Sequence, residues 1–183
     1  MRALFIKYKV VIRFILTFLL VYVVGSVGYK FYLQLSDGSL YYPDYITRLV
    51  GLQCEALLNS FGYQVQLLPH PDEPSLKLII NGVYLARIVE GCNALSVIIL
   101  FLSFIVAFAS NLKTTLFYML SGSVLIYAIN ILRIVLLVMA SYHYPEYDKI
   151  LHGVVFPLII YGFMFLLWVF WVNRFANLKK ANE

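Results

Sequence analysis

The chain has 183 residues, of which 62% are hydrophobic and only 13% charged, and its formal net charge is +5. A soluble domain is about half apolar and a quarter charged, and a small one still exposes much of its surface. The excess excludes an ordinary water-soluble globule and makes lipid the solvent for much of the chain.

Four stretches approach the roughly 20 apolar residues that a lipid-crossing helix needs. The first covers residues 10–29, with Arg13 near its start. Residues 30–91 are mixed in composition and can fold outside lipid. Within them, Ile46, Leu49, Val50, Leu57, Leu58 and Phe61 recur at helical spacing, which predicts an amphipathic helix over 45–61 stopped by Gly62. Pro69, Pro71 and Pro74 then mark a turn. Residues 77–80 and 83–89 are β-rich and are separated by Asn81-Gly82, a pair that favours a two-residue hairpin because both positions tolerate positive φ. The second strand leads directly into Glu90-Gly91-Cys92-Asn93.

The second span is expected over 94–110, somewhat short, and the third over 114–142, interrupted by Asn130 and Arg133. The fourth is expected over 154–172, with Pro157 in its first turn, where a missing N–H costs little. The predicted fold is an all-α polytopic membrane protein: a four-span bundle with a small outer segment of amphipathic helix plus β-hairpin. Its parts are 1–29 (N-terminus and first span), 30–91 (extracytoplasmic segment), 92–172 (a three-span core) and 173–183 (a basic tail).

Charge gives the direction. Arg2, Lys7, Lys9 and Arg13 precede the first span, Lys113 joins the second and third, and Arg174, Lys179 and Lys180 follow the fourth. Only Glu183 accompanies them; the other eight acids lie in the opposite segments. The positive-inside rule then places both termini in the cytoplasm. A cleaved signal peptide is the rival reading of the first span. Tyr29, Lys30 and Phe31, which resemble an interfacial anchor, favour its retention.

Three residues of different chemistry fall at one depth on the outer side. Cys92 precedes the second span and His152 precedes the fourth. Arg133 lies roughly 28–29 Å up the third, near the far edge of a ~30 Å hydrocarbon layer. Asn130 is one turn below it on the same face. A thiolate is a nucleophile, favoured by positive neighbours and a helix N-terminus. Imidazole takes and returns a proton near neutral pH. Arginine stays protonated and can stabilise an oxyanion. Together they suit acyl transfer through a thioester. Each also has a plainer reading: a packed thiol, a snorkelling arginine, an interfacial histidine. Arg133 resists its plainer reading most, since an ionisable group inside a span is usually functional. His70 and His143 are also on the outer side and stay open as alternative bases, with His143 the closer rival. Cys54, flanked by Leu52, Leu57 and Leu58, is expected to pack rather than to pair with Cys92.

At these residues the sequence resembles the exosortase/archaeosortase family of membrane cysteine transpeptidases. The match runs through Glu90-Gly91-Cys92-Asn93, then Asn130-x-x-Arg133, then His152. The run His152-Gly153, Phe156-Pro157, Tyr161-Gly162, Trp168 and Trp171 resembles the compact exosortase F type of Bacteroidetes. In the family the nucleophile is often followed by Ser-Gly, where this chain has Asn93-Ala94. The resemblance implies Cys92 as nucleophile, Arg133 as oxyanion stabiliser and His152 as general acid/base, with Asn130, Glu90 and Asn93 in support. It implies cleavage of C-terminal sorting signals on exported proteins in a bacterial inner membrane. Such a signal has a short motif, a hydrophobic helix and a basic tail, and the new C-terminus passes to an acceptor. Membrane lipids are the other expected partner, and an associated small membrane protein stays open. No cofactor, metal or nucleic acid is expected. The alternatives are a non-catalytic scaffold or assembly subunit that uses Arg133 for partner or lipid contact, and a transporter component.

Overall fold

The computed structural model describes residues 8–36 and 41–175. Arg2, Lys7, Lys179, Lys180 and Glu183, part of the charge pattern above, lie outside the described residues. In chain order the elements are α1 (Lys9–Ser36), α2 (Tyr45–Ser60), β1 (Val65–Pro69), β2 (Ser75–Ile80), β3 (Val83–Val89), α3 (Leu95–Ala107), α4 (Leu112–His143) and α5 (Phe156–Arg174).

Three helical stretches are long and apolar enough to cross a membrane: α1, α4, and Pro145–Arg174, which contains α5. The stretch expected as the second span is shorter than its sequence suggests. α3 has 13 residues, about 20 Å at 1.5 Å per residue, against a ~30 Å hydrocarbon layer. Its start is set by Ala94, whose φ of 65° is left-handed and cannot continue a helix. Beyond its end, the Asn111 side chain accepts from the Lys113 N–H and starts α4.

The helices meet where small residues let them approach. A Cβ on Gly25 of α1 would lie 2.8 Å from Ile99 of α3. One on Gly122 of α4 would lie 2.3 Å from the Phe101 ring. Phe14 of α1 stacks on Phe108 at 4.3 Å. At the same end, the Trp171 indole N–H donates to the Phe108 carbonyl at 3.2 Å, and the Tyr118 hydroxyl donates to the Leu167 carbonyl at 2.8 Å.

The segment between α1 and α3 holds one helix and three strands, a mixed α/β cap on a mostly helical chain. α2 is capped by Asp44, whose Oδ1 accepts from the Ile46 and Thr47 N–H groups, both at 3.0 Å. Gly62, at φ 90°, ends the turn that follows it. Its buried stripe is Thr47, Val50, Gly51, Cys54 and Leu58. Leu57 and Phe61, expected on that stripe, are exposed. The apolar run is wider than the contact, so spacing alone did not fix which side packs.

β2 and β3 pair antiparallel across Asn81-Gly82, which adopt φ of 50° and 82°. β1 adds to the other side of β2, from Val65 opposite Ile80 to Pro69 opposite Leu76. The sequence reading had no strand there. Pro69 sits at the strand's end on the sheet edge, where a missing N–H is tolerated. The sheet order is β1-β2-β3, which leaves β3 at an edge. One face of the sheet packs Val65, Leu76, Leu78, Ile80 and Ile88 against α2 and the distal half of α4. The proximal half of α4 packs with α3 and α5 in a second core.

Candidate active site

β3 runs without a break into the single turn Glu90–Cys92, which carries the thiol to the mouth of α3. Several groups pin that turn. Asn130, buried within α4, donates from Nδ2 to the Cys92 carbonyl at 2.7 Å. The buried Asn93 donates to the Tyr29 hydroxyl at 2.8 Å and to Thr47 Oγ1 at 3.1 Å, while its Oδ1 accepts from the Leu95 N–H at 3.0 Å. Tyr29 in turn donates to the Glu90 carbonyl at 3.2 Å. α1 therefore braces the cysteine turn. Ala94 occupies a left-handed position at φ 65°, a conformation that favours glycine, and it follows Asn93 where the resembled family often has Gly.

His152 lies in a π-helical stretch, Leu151–Val155, just before α5. Pro157 has no N–H for the Gly153 carbonyl, so the ordinary i→i−4 ladder fails there. The Phe156 N–H instead reaches back five residues to the Leu151 carbonyl. π-bulges of this kind are frequent at functional sites.

Cys92, Arg133 and His152 line one cavity of about 320 Å³. Arg133 Nε is buried and has no hydrogen-bond partner among the described residues. Leaving a buried charged donor unpaired is costly, so this N–H is poised for an acceptor that the described residues do not supply. The same cavity is lined by Ser141 and Asp148, whose side chains bond at 2.5 Å, and by residues 85–89 of β3. Sequence reading missed these groups. A signal existed: Arg133, Leu137 and Ser141 recur every four residues on one face of α4, and Asp148 precedes His152 by four.

The supporting residues divide. Asn130 and Asn93 hold the turn from behind, and Glu90 lies on the turn without lining the cavity. His143 bonds to Tyr63 at 2.8 Å, and His70 Nδ1 accepts from the Asp72 N–H at 3.2 Å; neither lines the cavity. Cys54 and Cys92 are both free thiols. Burial, reinforced by the neighbouring Cys92 and opposed by Arg133, pushes the Cys54 thiol up to about 12, so it stays a neutral packing group. Among the described residues, no cluster of three or more His, Cys, Asp or Glu side chains is arranged to hold a metal ion.

Helices of membrane-spanning length, with a half-buried thiol and guanidinium and an exposed imidazole lining one cavity, make this a helical protein of membrane type. No protein-family model matches the chain, and neither does any curated protein or solved structure.

Proposed function

We propose that this protein is a membrane-embedded cysteine transpeptidase of the exosortase kind. It would cut C-terminal sorting signals from exported proteins and join the new C-terminus to an acceptor. One observation carries the reading: Cys92, Arg133 and His152, far apart in sequence, line a single cavity. In this reading the bundle sits in a bacterial inner membrane with both termini cytoplasmic and the cavity at the outer face. α3 contributes a short fourth apolar segment beside three full spans.

The chemistry balances with these groups alone. The Cys92 thiol gives its proton to His152 as sulfur bonds to the scissile carbonyl carbon. The negative charge that develops on the carbonyl oxygen faces the Arg133 N–H groups. The C–N bond then breaks, the leaving amine takes the proton from His152, and a thioester remains. An acceptor amine or hydroxyl, or water, attacks that thioester and passes its proton to His152. The C–S bond breaks and the thiol recovers its proton. Asn130 holds the Cys92 carbonyl and so fixes where the thiol stands.

Cys92→Ala is the deciding experiment. The cells should accumulate exported precursors that still carry a motif, an apolar helix and a basic tail, while the variant inserts in the membrane normally. Unchanged processing would sink the mechanism and favour a scaffold, which tolerates the loss of one thiol.

A further inference from the structure

Side chains on a β-strand alternate between faces, so a cavity lying against one face of a sheet touches every second residue. Beyond the bulge at Leu85, the cavity at Cys92 touches Ala86, Arg87, Ile88 and Val89 in succession. It therefore runs along the strand's edge, where backbone groups point. β3 is an edge strand, paired only with β2 among the described residues. No hydrogen bond from its outer backbone groups to another described residue accompanies that pairing. Such an edge is a template for a further strand. β3 ends at the turn that carries Cys92, so a chain lying along it is led to the thiol.

We infer that the stretch of substrate just ahead of its apolar helix binds as an added strand on the free edge of β3, parallel to it. This rests on the transpeptidase reading. The direction follows from the connectivity. β3 runs toward Cys92 and the bundle, and a substrate whose helix enters the bilayer after its motif runs the same way. Main-chain hydrogen bonds would supply affinity that does not depend on sequence, and alternate side chains would supply selectivity. Arg87, held by an ion pair with Glu73, stands on the wall of the slot, and Asp148 lies among the helical residues that line it.

The test uses the full chain in its membrane as Cys54→Ala/Cys92→Ala, which has no native thiol and leaves substrate uncut. The probe is a reporter protein ending in the C-terminal signal of a precursor that builds up in Cys92→Ala cells. Arg87→Cys or Val89→Cys is added to the enzyme, and single cysteines are walked along the probe ahead of its apolar helix. These two β3 positions share one face of the sheet. Under oxidation each should trap a narrow window of probe positions. The Val89→Cys window should lie two residues closer to the apolar helix than the Arg87→Cys window. Windows that coincide, that shift the opposite way or that are absent overturn strand addition. A second measurement covers a variant that misfolds. Proline walked through the same stretch of probe should block cleavage by wild-type enzyme at every second position, where alanine does not. Uniform tolerance of proline also overturns the inference. Precursor build-up without either pattern defeats strand addition and leaves the protease reading intact. No build-up at all defeats both.

Discussion

The cap and the bundle have different cores. The buried hydrophobic core of the cap is aliphatic apart from Cys54, with Val50, Leu58, Leu76, Leu78, Ile80 and Val135 among its members and no fully buried aromatic ring. The bundle core contains Phe101, Tyr118, Met164 and Trp171, and its rings stack closely, as Phe104 does on Trp168 at 4.3 Å. The cap excludes water between a sheet and two helices, where aliphatic surface is stabilising in proportion to its area. Between helices in lipid that drive is weak, and association depends on shape. Rings set against glycines, such as Phe101 against Gly122, supply the shape. α4 belongs to both cores, and Asn130 and Arg133 lie on it where one gives way to the other. A site at that junction depends on both kinds of packing.

The largest effect expected from breaking this arrangement is in the cap. Leu78 is fully buried and pairs with Ala86 on the cavity wall. Leu78→Ala should cost about 2–5 kcal/mol of cap stability through lost burial and a cavity. Limited proteolysis should cut the variant between residues 41 and 90 while the bundle stays intact. Equal loss of both parts would show that the cores are not separable.

The next effect is chemical. Lysine keeps the charge of Arg133 but not the planar fork that gives two hydrogen bonds to one oxygen. Arg133→Lys should slow processing by about 10²–10³-fold, or roughly 2.7–4 kcal/mol, with protein levels unchanged. Near-normal turnover would make Arg133 a simple charge anchor. The smallest effect lies in the bundle. Gly122→Ala sets a methyl group against the buried Phe101 ring and should cost about 1–3 kcal/mol. It should lower the detergent melting temperature while the cap resists protease as before. A cap that loosens too would mean that α4 transmits the strain.

Much of this was legible in the residues. Apolar runs located α1, α4 and α5, and Asn81-Gly82 located the hairpin, because both signals are local. The position of Arg133 along α4 was also legible, since helical rise is nearly constant. What failed was contextual. β1 is short and amphiphilic and gains its identity only from pairing with β2. The length of α3 depends on a left-handed Ala94 that its composition does not announce. The buried side of α2 was ambiguous because apolar residues cover more than half its girth. The shared cavity could be conjectured from span directions, but lateral order among helices leaves no mark on a single sequence.

The short α3 beside the long α4 sets a ruler. α3 ends and α4 begins at the tight connection around Ser110 and Asn111. Asn130, bonded to the Cys92 carbonyl, stands about 27 Å along α4, and the helix continues about 20 Å further to His143. The turn that carries the thiol thus lies about 20 Å short of the far end of α4, measured along that helix. On the proposed reading, folded cargo stops level with the end of α4, and a loose tether covers the remaining distance to the thiol. At about 3.3 Å per extended residue, some six unfolded residues must separate a cargo's last folded turn from the bond that is cut. Reporters with tethers shortened one residue at a time should be processed normally down to about that length and then fail abruptly. A gradual decline would mean that the cap yields to its cargo.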